Sequence, residues 1–97
     1  MREEDVLKAL TSVVDPDLGI DIVSLGLIYE VKIKEQDVLV IFTLTFPGCP
    51  YADFIIQEIE EALKNIEGIN KAEVKLTFDP PWTPERIDPD VRATLNL

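Results

Sequence analysis

The stretch VLVIFTLTFPGCPYADFIIQEIEEALKNIEGINKAEVKLTF, residues 38–78, holds the pattern that decides the fold. Its first eight residues, VLVIFTLT, are apolar on both faces at the start, as in the central strand of a sheet. After Pro47-Gly48-Cys49-Pro50 the period changes: Ile55, Ile56, Ile59, Leu63 and Ile66 recur at helical spacing, with Gln57, Glu58, Glu60, Glu61 and Lys64 facing outward. Gly68 supplies a left-handed closing residue. KAEVKLTF then alternates, with Ala72, Val74, Leu76 and Phe78 expected inward. Strand, helix and strand in that order imply a parallel pair joined by a right-handed crossover.

Upstream, LIYEVKIK (27–34) points Tyr29, Val31 and Ile33 one way and Glu30, Lys32 and Lys34 the other, so it is a half-buried strand that EQD joins to the central one as a hairpin. Before it, Val6, Leu7, Leu10, Val13 and Val14 form one helical stripe, with Glu3, Glu4 and Asp5 at the dipole's positive end and Asp15-Pro16 as the stop. The loop DPDLGIDIVSLG is apolar enough to lie on the core, with Gly19 and Gly26 as turn points. In the proline-punctuated tail, Asp88 is positioned to cap and Pro89 to open a short helix ending near Leu95. The expectation is α+β in two layers: a small mixed β-sheet with helices packed on one face, in the order α-β-β-α-β-α.

At 97 residues the chain is expected to form a single domain, 1–97, burying somewhat over ~60% of its unfolded surface. Its composition, 46% hydrophobic and 29% charged, is that of a globular protein, and the apolar runs are strand-sized. MREEDVLKAL lacks the apolar core of a signal peptide, which leads to an expectation of cytoplasmic residence without a membrane role. The formal net charge of -10 repels nucleic acid, and Lys32, Lys34 and Lys75 read as the cover of a solvated sheet face.

With no histidine and one cysteine, Cys49, the chain has no Ser/His or Cys/His pair, no internal disulfide and no closed zinc site of its own. Neither GxGxxG nor GxxxxGK[ST] occurs, so no nucleotide cofactor is expected. These absences remove most nucleophilic hydrolases.

Cys49 stands between Gly48 and Pro50 at the mouth of the helix. With Pro50 as first helical residue, Cys49 falls at or next to the N-cap, where free amides and the dipole stabilise a thiolate. Gly48 permits the turn and leaves one flank open. Asp53 and the negative field oppose a thiolate, but exposed carboxylates are screened over ~8 Å. The other reading is a small buried hydrophobe, as free cysteine commonly is; the Gly-Pro flanks favour presentation. A soft thiolate binds iron or iron–sulfur clusters, yet a cluster typically takes about four cysteines, so a second subunit or partner must supply the rest. Thr45 ends the central strand four residues earlier, where its hydroxyl reaches the same pocket or merely reflects strand propensity. Asp15 and Asp17 are turn formers or loop hydrogen-bond acceptors. Trp82, in DPPWTPE, either pins the tail on the core or displays an aromatic anchor, and packing is the favoured reading. Arg86 and Arg92 are available to pair with the abundant acids, and surface pairs of that kind contribute little.

DPDLGIDIVSLGLIYEV, TLTFPGCPYAD and DPPWTPERI, in order along the chain, resemble the small iron–sulfur cluster assembly domain family that includes SufT, the PaaD subunit of phenylacetate degradation and the eukaryotic cytosolic assembly adaptors. The resemblance implies a compact α+β domain and a role in maturing iron–sulfur proteins, with Cys49 as functional thiol and Asp15, Asp17 and Thr45 around it; the leading expectation is a non-enzymatic factor, and the lack of a resolving cysteine counts against a thiol redox enzyme. Glutamate is the commoner family residue where Asp17 stands. It implies Cys49 as a metal or cluster ligand shared with a partner, transient iron or an iron–sulfur cluster as cargo, and scaffold or carrier proteins and apo iron–sulfur proteins as partners. A homodimer bringing two Cys49 thiols together is a further option. The alternative is a PaaD-like accessory subunit of an oxygenase or other metabolic complex; PaaD-type proteins carry extra cysteines near the C-terminus, and DVRATLNL has none.

Overall fold

A computed structural model describes residues 2–45, 48 and 50–95, with the Leu95 side chain excepted; Met1, Phe46, Pro47, Cys49, Asn96 and Leu97 lie outside this description. The elements run α1 (Glu3–Leu10), β1 (Val14–Asp15), β2 (Ile20–Asp21), β3 (Ile28–Lys34), β4 (Asp37–Phe42), α2 (Ala52–Lys64), β5 (Lys71–Leu76), a short 3-10 turn at Pro84–Arg86, and α3 (Pro89–Leu95). The expected α-β-β-α-β-α order is present, with one small addition: β1 and β2 pair as an antiparallel hairpin within the loop before β3.

The main sheet has the order β3-β4-β5. β3 and β4 are antiparallel and joined by Glu35-Gln36, with Glu35 at φ 57, while β5 pairs parallel to β4 after the α2 crossover. The central position of β4 follows from its composition. Val38, Val40 and Phe42 are fully enclosed on the helix side, meeting Val6 and Leu10 of α1 and Ile55, Ile59 and Leu63 of α2 in one core. Val31 and Val74 flank Val40 in register and extend the same apolar layer. Asp88 and Pro89 act as expected: the Asp90 amide donates to Asp88 Oδ1 at 2.9 Å and α3 ends at Leu95.

Outside α2, three boundaries differ from the sequence pattern. α1 stops at Leu10, so Val13 and Val14 are not on its stripe. The Thr11 amide closes the helix on Leu7 and Lys8, Ser12 Oγ donates back to the Ala9 carbonyl at 2.8 Å, and the β-branched valines continue in extended form. Val13 remains in the core, whereas Val14 is 44% exposed. β5 ends at Leu76, because the Asp79 amide donates to Thr77 Oγ1 and turns the chain away from the sheet; Phe78 is exposed, not inward. β4 ends at Phe42, so Thr45 does not terminate the strand but lies in a bend three residues on.

Candidate functional site: the hairpin, the end of β4 and the mouth of α2

Three backbone hydrogen bonds tie the hairpin to the end of the central strand. The Thr43 amide donates to Leu27, the Leu27 amide to Ile22, and the Ile22 amide to Val13, at 2.8, 3.0 and 3.0 Å. Asp15 stands two residues beyond one end of this ladder and Thr45 two beyond the other.

Asp15 is 1% exposed and forms the turn that the sequence allows it. Its Oδ1 accepts the amides of Asp17 at 2.8 Å and Leu18 at 3.3 Å. Its Oδ2 is buried and has no hydrogen-bond partner among the described residues. A carboxylate oxygen removed from water is costly unless a donor or cation meets it. Asp15 is thus both turn former and unsatisfied acceptor. Asp17 is exposed and joins Asp15 through its amide. Thr45 is half-buried; Thr43, which sequence reasoning passed over, is fully buried. Its signal is a polar residue inside the apolar run of the central strand.

Cys49 lies outside the described residues. Gly48 has φ 82, in the left-handed region, and no atom of the described residues lies within 4 Å of the position a Cβ would take. Pro50 is exposed. α2, however, begins at Ala52 with Tyr51 as N-cap, at φ -99 and ψ 9, and its first helical bond runs from the Ile55 amide to the Tyr51 carbonyl at 2.9 Å. Pro50 is therefore not the first helical residue, and the N-cap falls at Tyr51, not at Cys49. The dipole's positive end is centred two residues later than expected, with Asp53 already in that first turn. Tyr51 and Phe54, 40% and 48% exposed, stand beside this mouth.

The tail packs. Half-buried Trp82 lies against the core, and its Nε1 donates to the Leu25 carbonyl. Among the described residues Arg86 pairs with no acid: its Nε donates to the Gly26 carbonyl at 3.1 Å and its guanidinium lies 4.3 Å from the centroid of the Tyr29 ring. Among the described residues no three histidine, cysteine, aspartate or glutamate side chains converge as a metal-holding group, and no helix is long and apolar enough to cross a membrane.

The family profile described as "Iron-sulfur cluster assembly protein" matches residues 3–76, from α1 through β5 and across the whole candidate site. The chain belongs to the iron–sulfur cluster assembly protein family. Within this family it is 38% identical over 96 residues to the "Fe-S protein maturation auxiliary factor YitW" of Bacillus subtilis, covering 98% of this chain and 94% of that protein. The structure of the conserved hypothetical protein TM0487 from Thermotoga maritima matches with a TM-score of 0.87 and 52% identity, over 100% of this chain and 96% of that one. A putative 1,2-phenylacetyl-CoA epoxidase component of Escherichia coli is 30% identical over 94% of this chain, which spans only 55% of its length. The accessory-subunit alternative is therefore the weaker of the two.

Proposed function

We propose that this iron–sulfur cluster assembly protein is a non-enzymatic maturation factor, an adaptor or carrier in which Cys49 contributes one thiolate toward iron or a cluster while a partner completes the coordination. The observation that carries this reading is 38% identity, along 98% of the chain, to a protein named as an Fe–S maturation auxiliary factor. The open turn at Gly48 and the exposed Pro50 support access to the sulfur from outside. Incomplete ligation suits transfer: a cargo bound through one thiol leaves by ligand exchange with an incoming cysteine. Scaffold or carrier proteins and apo iron–sulfur proteins are the partners this chemistry requires, and the cytoplasm is the compartment in which the thiol stays reduced.

Asp15 has a supporting part. Its Asx turn shapes the loop between β1 and β2, and its Oδ2, without a partner among the described residues, offers an acceptor to a thiol proton or to the cargo cation. Anaerobic reconstitution of the purified chain with ferrous iron and sulfide tests direct carriage. Charge-transfer absorption that is lost in Cys49→Ser supports it; equal and negligible uptake by both forms removes carriage and leaves the adaptor role.

A further inference from the structure

α2 turns Ile55, Ile59 and Leu63 into the core and leaves Phe54, Gln57, Glu58 and Glu61 on its outer side, where they line a shallow depression of about 220 Å³. Their spacing of three, four and seven residues puts the phenyl ring and the two carboxylates on one stripe of the helix. Phe54 is 48% exposed, and Tyr51, three residues earlier at the N-cap, is 40% exposed. Elsewhere the large rings are engaged: Phe42 lies in the core, Trp82 bonds the Leu25 carbonyl, and Tyr29 bonds Pro80 beneath the Arg86 guanidinium. Neither Tyr51 nor Phe54 carries a cation on its face among the described residues.

The charge around these rings has one sign. From Tyr51 to Glu67 the chain carries five carboxylates, those of Asp53, Glu58, Glu60, Glu61 and Glu67, and one cation, Lys64. α1 packs alongside and adds Glu3, Glu4 and Asp5 against Lys8 and the N-cap Arg2, so the two-helix layer sets eight carboxylates against three cations. The single ion pair in this layer among the described residues joins Arg2 to Glu4 at 3.2 Å, which leaves the α2 carboxylates unpaired within 4.0 Å. No three of them converge as a metal-holding group among the described residues. A ring flanked by unpaired carboxylates is complementary to a guanidinium, which stacks on the aromatic face and forks onto a carboxylate at its edge. The chain makes the stacking half of that contact internally, where Arg86 lies 4.3 Å from the Tyr29 centroid.

We propose that the outer face of α2, from Tyr51 to Glu61, is a docking surface for an arginine-bearing basic segment of the partner protein. An arginine of that segment stacks on Phe54 and pairs with Glu58 or Glu61, and Tyr51 and Asp53 extend the contact toward the turn that carries Cys49, two residues before Tyr51. Charge decides the occupant. A second copy brings a net charge of -10 against the same acidic layer, and nucleic acid or an anionic membrane is repelled in the same way. A basic protein segment is attracted both by the local carboxylates and by the field of the whole chain. This names the partner's chemistry at the site of the function proposed above, and it rests on that reading only for what the docked partner receives.

The test titrates the isotope-labelled full chain, without metal, with a short arginine–alanine peptide, following amide shifts by NMR. Parallel titrations use lysine–alanine and glutamate–alanine peptides of the same length. Expected are shifts centred on Tyr51–Glu61 that salt weakens, binding about two- to fivefold tighter for the arginine than for the lysine peptide, and no response to the glutamate peptide. Phe54→Leu keeps apolar bulk and removes the ring, and Glu61→Gln removes one carboxylate; both change exposed side chains, and each should weaken the arginine peptide about two- to fivefold. Glu30→Gln, on the far side of the sheet, removes the same charge and should not. Absent binding, shifts spread over the whole chain, a lysine peptide bound as tightly as the arginine one, wild-type affinity in Phe54→Leu or Glu61→Gln, or an equal loss in Glu30→Gln would each overturn it. The two readings fail separately: Cys49-dependent iron uptake without peptide binding removes the docking surface alone, and peptide binding without such uptake removes cargo carriage alone.

Discussion

The Trp82 indole nitrogen donates to the Leu25 carbonyl oxygen at 2.7 Å, joining positions 57 apart in the chain. The bond fixes the proline-punctuated tail against the loop that precedes β3. Beside it, the Asp88 amide donates to the Ser24 carbonyl at 2.8 Å and Arg86 Nε to Gly26, so residues 24–26 serve as an anchor strip for the whole C-terminal segment.

Trp82→Phe keeps most of the ring contact and removes the donor. A stability loss of about 1 kcal/mol is expected from chemical denaturation. Unchanged stability would mean that the tail is held by packing alone.

Gly26→Ala and Gly48→Ala place the same methyl group at similar positive φ, 73 and 82, in different surroundings. Both incur backbone strain of about 1–2 kcal/mol. At Gly26 the new Cβ also overlaps the Arg86 carbonyl oxygen and lies 2.8 Å from its carbon, whereas at Gly48 it meets no atom of the described residues within 4 Å. Thermal denaturation should therefore show the larger drop for Gly26→Ala. The Gly48 variant is expected to lose about 4–16 °C if each kcal/mol shifts the midpoint by about 4–8 °C.

Asp15→Ala leaves the amides of Asp17 and Leu18 without their acceptor. A cost of about 1–3 kcal/mol is expected, together with faster hydrogen exchange at those two amides. Asp15→Asn retains an oxygen at Oδ1 and should preserve their protection.

The Thr83 side-chain hydrogen bond holds the Glu85 carboxyl below its ordinary range, helped by Glu85's own amide and by Arg92. A carboxyl with a depressed folded pKa favours the folded state above its unfolded pKa and loses that contribution as pH falls through the folded value. In an NMR titration Thr83→Val should move the Glu85 midpoint upward; an unmoved midpoint would assign the effect to the amide and Arg92.

Much of this fold is legible in the sequence because its periods are clean. The stripe Ile55, Ile59, Leu63 and the alternation of Val31 and Ile33 against Lys32 and Lys34 fix a helix and a strand, and the order of elements then fixes a mixed sheet. Element ends are less legible. Val13 and Val14 continue the apolar pattern of α1, but back-bonding by Thr11 and Ser12 and pairing with Asp21 remove them from the helix. At the site, Asp15 and Gly48 behave as their residue types suggest. The start of α2 at Ala52 is hidden because proline suits both a first helical turn and the preceding loop. Arg86 takes no acid partner among the described residues, since its partners Gly26 and Tyr29 are about sixty positions away and become neighbours only through the fold.

The most direct test of the account is made in cells lacking this chain, by measuring the activity and iron content of a labile iron–sulfur enzyme after complementation with wild type or with a Cys49→Ser variant of equal thermal stability. The account predicts recovery with wild type and an enzyme left largely in its apo form with Cys49→Ser. Full recovery with Cys49→Ser would contradict it.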